Sequence, residues 1–186
     1  MTELGALLVP ILVTTIVVFF LSALVHMAPL WHRNDYPALP DQERFRAAVG
    51  PLDIPPGDYM VPRCEKMSEM KGEAFQQKIT EGPNMILTVL PRGEMGMGAQ
   101  LGKWFVHVLI VTLFAAYVAG AALPPGAEYL SVFRFAGTTA FAAYVLAVWP
   151  MSIWFRRGTG LALKESLDGL IYALITAGIF GAMWPG

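Results

Sequence analysis

The chain predicts an all-α integral membrane protein: a four-transmembrane-helix antiparallel bundle with a small cytoplasmic α+β cap between the first and second spans. Three observations lead there. Of its 186 residues, 55% are hydrophobic and only 15% charged, a balance outside the soluble range. Asp, Glu, Lys and Arg are missing from four stretches: between Glu3 and Arg33, Trp104 to Ala127, Phe135 to Phe155, and Gly169 to the C-terminus. Each is close to the roughly 20 apolar residues that a helix needs to cross a hydrocarbon core of about 30 Å, where no water can satisfy a loose backbone group. Finally, Trp31, Trp104 and Trp154 fall at one end of these stretches and Tyr129 and Trp184 at the other, as interfacial aromatic belts do.

The first span lies near residues 5–27. Met1-Thr2-Glu3 carries no basic residue and the apolar run is too long for a signal peptide, so residues 1–27 read as a retained transmembrane helix. Residues 28–102 form the cap segment, and residues 103–186 hold the other three spans, near 103–123, 129–154 and 163–184. Residues 124–128 make a very short turn, which forces the second and third spans to be antiparallel neighbours.

Prolines 37, 40, 51, 55, 56 and 62 break the first half of the cap into short pieces. Between them, residues 41–49 predict a short helix with Asp41 as N-cap, stopped by Gly50-Pro51. Residues 65–80 predict a longer helix, with Met67, Met70, Ala74 and Phe75 on one face and Gly82-Pro83 beyond its end. Residues 84–90 predict a strand, and 58–61 can pair with it. A ribbon of that size is marginal alone, so the expectation is a cap supported by its helices or by the inner membrane surface.

Orientation follows the basic residues. Nine Lys and Arg run from Arg33 to Lys103, which opens the second span, and Arg156, Arg157 and Lys164 lie at the turn into the fourth, whereas the opposite side has only Arg134. The positive-inside rule then places both termini outside the cell (inner) membrane and residues 28–102 in the cytoplasm. The lone Cys64 faces a reducing compartment, so no disulfide is expected. Ten acidic residues balance the nine basic ones of the long segment, which gives no footprint for nucleic acid.

Several groups of residues invite a functional reading. Gly169, Ala173, Ala177 and Gly181 recur every four residues and form a small-residue stripe on the last span, where another helix backbone can come close. That partner helix belongs either to the same chain or to another. His26 and His107 lie at similar depth on separate helices, about 7 Å and 4–5 Å inside the interfacial tryptophans. Two such histidines suit the axial ligands of a haem b or part of a metal site. Glu165 and Asp168 reach the same level as a polar cluster. Against this, there is no HxxH, HxxxH, ExxH or CxxCH spacing, and a structural polar cluster is the plainer reading.

His32, beyond Trp31 and beside Arg33 and Asp35, reads as solvated. Arg134 is the single basic residue of an outer half-helix; it can snorkel outward or contact an anionic lipid or a partner subunit. Residues 92–103 resemble a phosphate loop only superficially: Met97 stands where a glycine belongs, and Trp104 stands where Ser or Thr would hold magnesium. The methionines at 67, 70, 95 and 97 lack a joining Cys/His cluster and read as adaptable packing. No nucleophile, base and orienting group converge, so no catalytic residue is expected.

The leading functional expectation is therefore a non-catalytic accessory or interaction subunit of a membrane assembly, or a homo-oligomer, with the lipid bilayer and a membrane protein as partners and no cofactor. A haem- or metal-binding redox protein using His26 and His107 is the first alternative. A small transporter or enzyme acting on amphiphiles at the inner leaflet, centred on Glu165 and Asp168, is the second.

Overall fold

A computed structural model of the chain describes residues 1–28, 31–93 and 96–186. They divide into two compact units: Met1–Tyr36 with Gly96–Gly186, and Pro37–Met95. Four helical stretches of the first unit are long and apolar enough to cross a membrane: Leu4–Met27, Gly98–Ala122, Tyr129–Trp154 and Thr159–Ala182. The first is a 3-10 turn (Leu4–Leu7) leading into α1 (Leu8–Met27). It ends where Ala28 turns extended, as a residue ahead of a proline is driven to do. The remaining elements of this unit are α4 (Gly98–Ala122), α5 (Tyr129–Tyr144), α6 (Trp149–Trp154) and α7 (Thr159–Ala182). The second and last spans thus begin about a turn earlier than the loss of charge suggests, because Lys103 and Lys164 sit inside helices.

One expected span is not continuous. Residues 129–154 split into α5, a 3-10 turn at Leu146–Val148 and α6. Pro150 explains the break: it has no N–H for the carbonyl of Leu146, and its ring would crowd that same carbonyl in a regular α-helix.

In this unit α5 packs on α7 and α4, and α1 packs on α4 and α7. One layer of the core joins Leu7, Ile11, Ala115, Ala119, Val132 and Phe180. A second joins Val18, Val108, Ala140, Tyr144, Tyr172 and Ala173. The small-residue stripe of α7 is spent on α5. A methyl placed on Gly169 would lie 2.7 Å from the Tyr144 carbonyl oxygen, and one on Gly181 would lie 2.6 Å from the Tyr129 ring. Between them, a methyl on Gly137 would meet the Ala177 Cβ at 2.8 Å. Ala173 and Ala177 are buried in the same contact. Backbones this close exchange many small dispersion contacts, which is what holds helices together where lipid removes the hydrophobic drive. At the other end of α4, the Thr2 amide donates to the Gly120 carbonyl at 2.7 Å, and Gly120 leaves room for it.

The second unit holds α2 (Gln42–Val49), β1 (Gly57–Val61), α3 (Glu73–Glu81) and β2 (Met85–Val89). The Asp41 carboxylate caps α2 by accepting from the Arg44 amide at 2.9 Å. β1 and β2 pair antiparallel, from Gly57 opposite Val89 to Val61 opposite Met85. The single helix expected over 65–80 is instead a 3-10 turn at Met67–Lys71 followed by α3. Gly72 separates them in an extended conformation (ψ 143°), which glycine adopts more cheaply than it holds a helix. The face shared by Met67 and Met70 is consequently not formed, and Met67 is exposed. Among the described residues of this unit none is buried. Met95, one of the four methionines read as packing, and Glu94 lie outside the described residues.

Candidate functional site

The polar site is assembled where the last turn of α1, residues 31–36 and the first turns of α7 converge. Asp168 is its centre. Helical spacing puts Lys164, Glu165 and Asp168 on adjoining faces of α7, and Asp168 points inward, only 2% exposed. His32 Nε2 approaches one oxygen of Asp168 at 2.7 Å, and the other oxygen accepts from the Trp31 indole N–H at 3.2 Å. His32 Nδ1 lies 2.6 Å from Asp35, which also accepts from Lys164 Nζ at 2.6 Å. Glu165 is paired with Arg157 at 3.1 Å, and Arg157 donates to the Tyr36 hydroxyl at 2.7 Å. Lys164, Arg157 and a protonated His32 thus already face a carboxylate.

Two of these groups titrate away from their ordinary values. Burial opposes a charged His32, but hydrogen bonds to Asp35 and Asp168 and their negative charge outweigh it, so its pKa is raised. The Asp35 carboxyl is lowered, first by the hydrogen bond from Lys164 and then by that from His32. With a carboxylate oxygen against each ring nitrogen, His32 is read as an imidazolium that donates from both. Its Nε2 then has no lone pair for Trp31, although the two atoms are 2.8 Å apart, and the indole N–H belongs to Asp168.

His26 completes the cluster. Its Nδ1 donates to the Ser22 carbonyl at 2.9 Å, one turn back on α1, and its ring lies parallel to that of His32 with centroids 4.6 Å apart. Ser22 is itself held, its hydroxyl accepting from the Trp104 indole at 2.7 Å. His26 and Asp168 also line a cavity of about 380 Å³ together with His107, Tyr144, Glu165 and Tyr172. The hydroxyls of Tyr144 and Tyr172 are buried without a hydrogen-bond partner among the described residues. Such a group costs about 1–3 kcal/mol unless something satisfies it.

The residues singled out from the sequence fall as follows. Glu165 and Asp168 share one wall of the cavity. His26 and His107 line it too, but the ring in contact with His26 is that of His32, while His107 stacks on Trp104 at 5.3 Å and meets the edge of Tyr144 at 6.1 Å. Arg134 is exposed beside a separate groove of about 250 Å³ between α5 and α7. Gly169 borders the cavity, whereas Ala173 and Ala177 border the groove.

His32 corrects the sequence reading. Its side chain is only 10% exposed and ties two carboxylates together. A signal was present: Asp35 stands three residues on, and Asp168 is an acid at the edge of an apolar run with nothing in its own helix to neutralise it but Lys164. Tyr144 and Tyr172 carried no signal, because a tyrosine in an apolar helix is usually core. No protein-family model, no curated protein and no solved structure matches the chain.

Proposed function

We propose that the chain is a multi-pass protein of the cell inner membrane, inserted as an antiparallel four-helix bundle with both termini outside and residues 28–102 cytoplasmic, and that it binds an amphiphilic small molecule in the cavity beside Asp168. The lopsided distribution of Lys and Arg supports the orientation. The cavity reading rests on one observation: two tyrosines whose hydroxyls are buried without a partner among the described residues line a ligand-sized hollow. Since Arg157, the arginine lining the cavity, is already paired with Glu165, the complementary head is neutral, a hydroxyl or carbonyl on an apolar tail, rather than a phosphate. This is the transporter or enzyme reading centred on Glu165 and Asp168. The subunit reading loses one of its supports, because the stripe from Gly169 to Gly181 packs against α5 of the same chain.

The test is binding of two short-chain probes, a dioctanoylglycerol and a decyl-quinone, to the purified protein in nanodiscs. Tyr144→Phe and Tyr172→Phe each remove one hydroxyl and leave the ring. Each is expected to weaken the preferred probe by roughly tenfold, the worth of one hydrogen bond of about 1–1.5 kcal/mol. Equal affinity of the wild type and both variants, for both probes, would remove the reading.

A further inference from the structure

We infer that His26, His32 and Asp168 form a binding site for a divalent first-row transition-metal ion, of the zinc or cobalt type. One donor atom from each residue lies within 4.8 Å of the others. Two imidazoles and one carboxylate are a ligand set suited to such ions, and three protein ligands leave further positions open.

What surrounds the three residues is as informative as their proximity. A histidine that ligates a metal usually gives its other ring N–H to a carboxylate or a backbone carbonyl, which fixes the tautomer and aims the ring. Both histidines have that arrangement. His26 gives Nδ1–H to the Ser22 carbonyl and keeps the Nε2 lone pair; His32 gives Nδ1–H to Asp35 and turns Nε2 to Asp168. Lys164 in turn fixes Asp35, and the Trp31 indole holds the Asp168 oxygen that His32 does not use. Metal binding would release the proton now shared by His32 Nε2 and Asp168, and the carboxylate and imidazole would then face the ion instead of each other.

The site must also tighten. Bonds of about 2.0–2.1 Å in a tetrahedron hold donor atoms about 3.3 Å apart. From a 4.8 Å spread this is a modest approach of the exposed His26, while the His32 Nε2–Asp168 pair, now 2.7 Å apart, opens slightly. Because His26 and Asp168 also line the cavity, the open coordination positions would be available to water or to an oxygen of a molecule bound there. Metal binding itself does not depend on the amphiphile reading, since it uses neither tyrosine hydroxyl.

The experiment is titration of chelator-stripped, full-length protein in nanodiscs with Co²⁺, followed by its visible ligand-field bands, and with Zn²⁺ in competition. Saturation at about one ion per chain is expected, with Mg²⁺ and Ca²⁺ unable to displace it. His26→Ala and His32→Ala should abolish the tight site, and Asp35→Asn, which only loosens the orientation of His32, should weaken it about 10–100-fold. His107→Ala, which alters a residue lining the same cavity, and Tyr172→Phe should both leave the Co²⁺ spectrum unchanged. His26 is exposed, so its replacement leaves the core intact, and an unchanged melting temperature will show that the variant is folded. Absence of a stoichiometric Co²⁺ spectrum in the wild type, or its persistence in His26→Ala, would overturn the assignment. So would its loss in His107→Ala. Equal probe affinity of the wild type and both tyrosine variants, with Co²⁺ binding intact, would remove the amphiphile reading and leave the metal site standing; weakened probe binding in those variants, with no Co²⁺ spectrum in the wild type, would leave only the amphiphile site.

Discussion

Asp168→Ala is expected to destabilise the metal-free helical unit by about 3–5 kcal/mol, the cost of stranding one member of a buried charged pair. The His32 side chain, only 10% exposed, would lose the acceptor at its Nε2 and keep Asp35 as its remaining acidic partner, while the Trp31 indole would lose its acceptor. The size of the loss comes from the orphaned partner more than from the pair's own worth. The double variant His32→Leu with Asp168→Leu removes both charges together, and should therefore recover much of that loss. Unfolding in a mild detergent, followed by tryptophan fluorescence, measures both. A single variant as stable as the wild type would mean that water, not His32, satisfies Asp168.

The second large effect is steric. Gly169→Ala puts a methyl 2.7 Å from the Tyr144 carbonyl oxygen, where backbone must move, and is expected to cost about 1–3 kcal/mol. Gly178→Ala lies on the same helix, but its methyl would find only the Tyr129 hydroxyl, at 3.8 Å. That change should be neutral or mildly stabilising, since alanine is the better helix former by roughly 1 kcal/mol. Equal melting temperatures for the two variants would mean that α5 and α7 approach less closely than the geometry requires.

These two sites differ in how far they could be read in advance. The stripe from Gly169 to Gly181 is a local periodicity, and periodicity survives in a single sequence. What it could not carry was the identity of the opposing surface, because Gly137, Tyr129 and Tyr144 are set by the register of α5 against α7. The four long apolar helices were legible because each is a charge-poor run of about 20 residues, and their breaks were less so. Pro150 was in plain view within the third span, yet proline is common in membrane helices and only the neighbouring packing decides whether it bends or breaks them. Gly72 likewise looked tolerable inside an amphipathic helix until nothing buried the Met67 face.

The polar site was half visible. Glu165, Asp168, His26 and His107 were each conspicuous as polar groups at a similar depth, and all four reach one cavity. Pairing was the part that sequence did not reveal. Depth along a helix says nothing about which face a residue takes, so the equal depths of His26 and His107 suggested a pair, whereas the ring packed on His26 comes from the following segment. His32 was misread because its neighbours in sequence are charged; its neighbours in space are Asp168 and His26.

Everything proposed for the cavity assumes that the four helices cross a membrane with the basic, site-bearing end in the cytoplasm. Cys64 is the chain's only cysteine and lies between the first and second spans, so it reports this directly. It is partly exposed, and burial, with the negative charge of Glu69, pushes its thiol above the ordinary value, so labelling should be slow and is best run on the alkaline side of neutrality. A membrane-impermeant maleimide is expected to modify Cys64 in inverted vesicles and to leave it unmodified in intact spheroplasts. Modification in intact spheroplasts would contradict the account, placing the site of Asp168, His26 and His32 at the opposite face of the membrane.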